Sequence, residues 1–336
     1  MTYVVPQVVF TPTGDVRVED LHLSRPTTGE VLVRTTKTQV SAGSERNALE
    51  LCRKTSRPTG YTSVGVIEEV GPDVAGYSVG DRVVTISPHR GAELVQVDQL
   101  TNMGGYLGSV PDGVSDSQAT FAVLGDVALH GVRRAQPYLG ESVAVFGQGL
   151  VGQLTTAFAA LAGADPIIAI DILDERLEKS HVSGATHVVN ARQTDVIGAI
   201  HELTGGGARV VFMAARDPRV MTGSLKAAAR GGTVCLTGSP PGTVALNLQE
   251  EILRHELNVL GNYQSDYPVT PYHRFQWTRS ANRSYILKMI ARGRIKVDHL
   301  ITHDVPYTQA SEIYSMIAEG PEGWLGVLFD WSGAHA

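Results

Sequence analysis

Residues Val143–Gly152 read VAVFGQGLVG, an apolar run that passes directly into G-x-G-x-x-G and then into a stretch with apolar residues at helical spacing. This sequence demands a strand, a tight turn and a helix, in that order. Gly147 permits the turn, Gly149 lets backbone approach a pyrophosphate, and Gly152 allows the helix to pack closely on the sheet. The helix opening at Leu150 and Val151 offers its unsatisfied N–H groups to the anion. A second apolar run ends in Asp171, about 20 residues beyond the middle glycine, where a carboxylate accepts hydrogen bonds from ribose hydroxyls and repels a 2′-phosphate. The pattern predicts a dinucleotide site that prefers NAD to NADP. Arg176 follows shortly afterwards. It reads as a flank of the adenine, as a group that tolerates some NADP, or as a solvated helix charge.

The glycine motif belongs to a longer rhythm. Apolar runs at Ser142–Phe146, Pro166–Ile170, His187–Val189, Arg209–Met213, Gly232–Leu236 and Leu257–Leu260 alternate with amphipathic segments such as Leu150–Ala162 and Val220–Ala229, the latter ending at Arg230-Gly231-Gly232 as a helix C-terminus often does. Such alternation is the signature of βαβ units around a doubly wound parallel sheet, so the fold class is α/β. Ala214 follows the fourth run, and Thr237 with Gly238 follows the fifth, at the edge where ribose and nicotinamide would rest. Upstream, short strands at Glu30–Arg34, Ser63–Ile67 and Arg82–Ile86 lie between turn residues and predict a β-rich domain. The tail predicts a helix near Ser284–Ala291, a strand near His299–Thr302 and a helix near Thr308–Ala318, which return to complete that first domain. The polar and aromatic stretches Asn262–Tyr267 and Tyr272–Trp277 read as substrate contacts or as a dimer seam.

At 336 residues the chain exceeds what one core usually organises. Its net charge of −6 includes no run of Lys and Arg fit to grip phosphate, so nucleic acid is not an expected partner. No basic leader precedes an apolar stretch, and no run of 18 apolar residues occurs. The expectation is a cytoplasmic chain without a membrane partner. Cys52 and Cys235, the only cysteines, exclude a disulfide framework and a four-thiolate zinc site.

Taken with Gly80-Asp81-Arg82-Val83, Gly184–Asn190 and Gly238-Ser239, these residues resemble the medium-chain dehydrogenase/reductase superfamily, the alcohol dehydrogenase-like proteins. The resemblance implies a GroES-like catalytic domain from residues 1–123 and 268–336, and a Rossmann domain from residues 124–267. It further implies an active site in the cleft between them, a small-molecule substrate, and a homodimer or homotetramer. Zinc-dependent members carry Cys-Gly-Ser/Thr-Asp, Gly-His-Glu and a third Cys or Glu. Here the corresponding residues are Ala42-Gly43-Ser44-Glu45, Gly60-Tyr61-Thr62 and the neighbourhood of Val123. Alanine, tyrosine and valine cannot build a three-ligand zinc site. The resemblance is therefore to a zinc-lacking branch that includes oxidoreductases of cyclitols, sugars and secondary metabolites.

Without a metal, protein groups must manage the hydroxyl proton when hydride leaves the neighbouring carbon. Ser44 matches the hydroxyl that relays this proton in zinc-dependent relatives, and reads equally as a turn or helix-capping serine. Tyr61 stands at the lost ligand position. It serves as acid or base if Arg46, Lys54 or Arg57 lowers its pKa, or else fills the vacated volume. Glu45 reads as an orienting carboxylate or a surface one. His89 reads as a proton-exchanging imidazole or a structural one. Asp126 reads as a group near the nicotinamide end of the cofactor or as the N-cap of a helix Val127–Arg134. The leading expectation is reversible NAD(H)-linked oxidation of a secondary alcohol. A zinc-free quinone or enoyl reductase and a catalytically inactive NAD(H)-binding protein are the alternatives.

Overall fold

The computed structural model describes residues 2–51, 55–97, 106–263 and 277–335. The chain separates into two compact units, one formed by 1–124, 265–292 and 301–336, the other by 125–264 and 293–300.

The second unit contains a six-stranded parallel sheet. Its spatial order is His187–Asn190, Ile167–Asp171, Val143–Phe146, Ala208–Met213, Ala228–Leu236 and Asn258–Gly261. Numbered along the chain, this is 3-2-1-4-5-6, the doubly wound order. Helices on both faces explain why the strands read as unbroken apolar runs. Ala144, Phe146, Ile168, Ile170, Val211 and Met213 pack with residues of the helices Val196–Thr204 and Val220–Ala227. Ala169 packs instead with Leu177 of the helix Asp174–Ser183. Ile170 lies opposite Phe146 in the parallel register, so the two strands end together and Asp171 falls beside the glycine turn.

Three expectations for this part of the chain are corrected. The helix after Met213 stops at Ala227, because residues 228–236 are already strand. The pairing jumps from Ala208/Ala228 to Val210/Thr233, and Gly231 at φ +70° provides the left-handed turn of that bulge instead of closing a helix. Asp126 is no N-cap. The helix runs from Phe121 to Ala135, because Phe121, Ala122, Val123 and Leu124 all have buried space to fill, and Asp126 is buried inside it. Residues 293–300 group with this second unit. Lys179 Nζ donates to the His299 carbonyl at 2.7 Å, and Ser183 Oγ shares a 2.9 Å hydrogen bond with His299 Nε2.

In the first unit a mixed seven-stranded sheet follows the order Ile301–Pro306, Gly326–Asp330, Glu30–Gln39, Ser63–Val70, Arg82–Thr85, Leu107–Ser109, with Ala92–Gln96 also on Glu30–Gln39. The long strand bulges at Leu32/Val33 and at Thr35/Lys37. Along one edge it therefore serves Ala92–Gln96 near its start and Gly326–Asp330 at its end. The first two predicted strands extend to Gln39 and Val70, and the third ends at Thr85. The tail strand begins at Ile301, after a 3-10 turn at Asp298–Leu300, and the last helix is Ala310–Glu319. Among the described residues no helix is long and apolar enough to cross a membrane.

Candidate dinucleotide and catalytic sites

The glycine loop of the second unit is built by close approach. Gly147 has φ +88°, its N–H donates to the Ile170 carbonyl at 2.8 Å, and an added Cβ would lie 2.7 Å from the Ala215 nitrogen. A Cβ on Gly152 would lie 1.8 Å from the Gly147 carbonyl oxygen. Gly149 differs from both. It caps the helix Leu150–Ala162 in extended backbone, and a Cβ there would meet nothing within 4 Å. The backbone at Gly149, where the helix of Leu150 and Val151 begins, is thus open to close approach, as an anion site requires.

Asp171 does more than stand at a strand tip. Its Oδ2 accepts the Gln148 N–H at 2.6 Å, and its Oδ1 accepts those of Ile172 at 2.7 Å and Leu173 at 3.1 Å. Three backbone amides thereby orient the carboxylate, which retains further acceptor capacity. The sequence reading missed Gln148. Its buried side chain donates to the Val145 carbonyl at 3.0 Å and accepts from Ser180 Oγ at 3.1 Å. An amide inside an otherwise apolar motif is the signal that was available. Thr237 and Gly238 both donate their N–H groups to the Met213 carbonyl, at 2.9 and 2.8 Å, and a Cβ on Gly238 would meet the Ala214 backbone at 2.9 Å. These three residues therefore lie together at the strand ends. Arg176 is part-exposed in the helix Asp174–Ser183, and its carbonyl accepts from Gln153 Nε2 at 2.8 Å. The donors and the open helix end fit a dinucleotide.

The first unit gathers the other candidates where the strand Glu30–Gln39 passes into the helix Ala42–Leu51. Ser44 is exposed inside this helix and is not its cap. The Tyr61 hydroxyl donates to Ser41 Oγ and also bonds with Ser44. Burial pushes the Tyr61 phenol above its ordinary range, the two serines pull it back in part, and Glu45 adds to the rise. This corrects the expected lowering by cations, since neither Arg46 nor Arg57 contributes; Lys54 lies outside the described residues. Ser41 escaped the sequence reading, because its neighbour Ser44 fitted the family pattern.

Glu45 is not a surface carboxylate, and it meets His89. Both are buried, and Glu45 Oε2 stands 3.3 Å from His89 Nε2. The second ring nitrogen, Nδ1, lies 2.8 Å from Thr38 Oγ1. Ser41 N–H donates to Glu45 Oε1 at 2.8 Å, and the hydroxyl of Tyr314 donates to Oε2. At the three positions compared with zinc ligands stand Ala42, the serine-bonded Tyr61 and the buried Val123. This donor set does not fit zinc. Among the described residues no three His, Cys, Asp or Glu side chains gather as metal ligands. Cys235 is a buried thiol that burial pushes up to about 11. Cys52, residues 264–267 and residues 272–276 lie outside the described residues. Asn262 bonds to the Val127 carbonyl at 2.9 Å within the second unit.

A mixed GroES-like sheet and a Rossmann sheet in one chain define the architecture of the medium-chain alcohol dehydrogenases. The family model described as "Zinc-binding dehydrogenase" matches residues 151–277. An alcohol dehydrogenase of Cupriavidus necator is 26% identical, covering 97% of this chain and 99% of its own length. The sorbitol dehydrogenase of Bacillus subtilis is 25% identical, covering 93% of this chain and 94% of its own. A crystal structure of a zinc-binding dehydrogenase from Sinorhizobium meliloti, bound to NADP, superposes with TM-score 0.81 at 22% identity, over 98% of this chain and 99% of that one. The chain is thus similar over nearly its whole length to alcohol dehydrogenases, and part of it matches the zinc-binding dehydrogenase family model.

Proposed function

We propose that this protein is an NAD(H)-dependent oxidoreductase that interconverts a secondary alcohol and a ketone without a resident zinc ion, on a polyol, cyclitol, sugar or secondary-metabolite substrate. The alcohol and sorbitol dehydrogenases among its relatives support an alcohol/ketone oxidoreductase. The preference for NAD over NADP rests on Asp171, whose oriented carboxylate suits a ribose diol and opposes a 2′-phosphate. The zinc-free reading rests on Ala42, Tyr61 and Val123. When bound, the dinucleotide supplies or accepts the hydride.

The observation that carries the catalytic reading is the Tyr61 phenol between Ser41 and Ser44. A phenol with a raised pKa holds its proton at neutral pH and serves as a hydrogen-bond donor. Turning its O–H from Ser41 to the substrate, Tyr61 gives its proton to the carbonyl oxygen as hydride reaches carbon; in the reverse direction it takes the hydroxyl proton as its own passes to Ser44. Ser44, exposed on the helix Ala42–Leu51, passes that proton to water.

The test is turnover by purified protein over a panel of polyols, cyclitols and ketones with NADH and NADPH, alongside metal analysis. Activity with NADH that survives chelation is the expected result. Tighter binding of NADPH, or activity that returns only with added zinc, contradicts it. Rapid turnover of enones or quinones but no ketone marks a reductase instead, and tight NADH binding with no turnover marks a binding protein.

A further inference from the structure

We infer that Tyr314 is a positioning residue: with His89 and the Ser41 N–H it fixes the Glu45 carboxylate, and through it the helix that presents Ser44 to Tyr61. The inference rests on the reading of Tyr61 and Ser44 as the proton-handling pair. Tyr314 lies 269 positions beyond Glu45, on the helix Ala310–Glu319, and no motif in the sequence points to it.

The proposal assigns each hydrogen of the cluster. Glu45, His89, Thr38, Trp331 and Tyr314 are all at most 3% exposed, so water does not compete for their polar atoms. An indole N–H only donates, and Trp331 Nε1 therefore gives its hydrogen to Thr38 Oγ1 at 2.9 Å. In the proposed arrangement the hydroxyl of Thr38 donates across its 2.8 Å contact with His89 Nδ1. This leaves the ring hydrogen on Nε2, facing Glu45 Oε2. Tyr314 donates to the same oxygen, and Ser41 N–H fills Oε1. Burial and the adjacent Glu45 push the Tyr314 phenol well above its usual range, so it remains a donor.

A carboxylate withdrawn from water is tolerated only when such donors surround it. Both His89 nitrogens are engaged by protein partners, and Glu45 collects three donors. In this role both residues hold geometry. The cluster ties three distant parts of the first unit together: the start of the helix Ala42–Leu51, the loop carrying His89, and the C-terminal helix and strand end carrying Tyr314 and Trp331. Rings lock the two outer members. Phe10 meets Tyr314 edge-on at 4.9 Å, and Phe329 meets His89 edge-on at 5.1 Å.

Two measurements on the full-length protein test this. Long-range proton–nitrogen correlation of histidine-labelled protein, with His89 assigned by the signal lost in His89→Gln, is expected to show a protonated Nε2 and a bare Nδ1. A proton on Nδ1 overturns the proposal. Tyr314→Phe keeps the ring contacts and removes one donor. It is expected to speed amide exchange in the helix Ala42–Leu51 about tenfold and to lower kcat about tenfold, while KM for the dinucleotide changes less than about threefold. Unchanged exchange, or unchanged kcat in an active enzyme, overturns it. A protein inactive on every alcohol and ketone refutes the oxidoreductase reading, yet tautomer and exchange still decide the role of Tyr314.

Discussion

The chemical roles proposed for Tyr61 and Asp171 come with structural ones, and substitutions separate the two. Because burial raises the Tyr61 phenol, ketone reduction should stay level through neutral pH and decline only above the ordinary phenol range near 10. A decline centred near pH 7 would exclude the phenol as donor. Tyr61→Phe should lower kcat/KM for the ketone about 100-fold and change stability by less than about 1 kcal/mol, read by steady-state kinetics and denaturant unfolding. Asp171→Asn should relax the preference for NADH over NADPH. It should also destabilise the protein without cofactor by about 1–3 kcal/mol, since an amide NH2 must then face the N–H of Gln148 or of Ile172 and Leu173. Unchanged stability of the cofactor-free protein would show that the carboxylate does not organise the loop.

At the scale of elements, the strand–turn–helix at Val143–Ala162 makes two opposite predictions from adjacent glycines. Gly152→Ala drives a methyl group into the Gly147 carbonyl, backbone against helix, and should cost about 1–3 kcal/mol or more. Gly149→Ala meets open space at an extended φ of −68°, so the melting temperature should hold while dinucleotide affinity, read by calorimetry, falls about tenfold. Loss of stability in the second variant would mean that the position is not reserved for a ligand. This element was legible because its turn, cap and packing glycines sit within ten residues of one another. The helix after Met213 was misjudged at its end for the complementary reason. Gly231 and Gly232 suit a helix terminus and a strand bulge equally, and only pairing with Ala208–Met213 selects the bulge.

For the whole molecule, pH acts on stability through histidines that the fold keeps neutral. Burial, assisted by Arg134 and Arg133, lowers His130 to about 4, and burial with Lys179 lowers His299 to about 4. The unfolded chain binds these protons near pH 6.5, so the stability they contribute is present above about 6.5 and is lost as pH falls toward 4. Denaturation midpoints should drop across that window, and His299→Gln, which keeps a polar partner for Ser183, should flatten the slope. The βαβ rhythm, the glycine loop and Asp171 could be read from the chain alone, because hydrophobic periodicity and turn chemistry are properties of neighbouring residues. The burial of Asp126, the enclosure of His89 and Glu45, the rise of the Tyr61 phenol and the arrival of Tyr314 could not. Each depends on which distant segments exclude water from a given atom, and local sequence holds no record of that until the chain has packed.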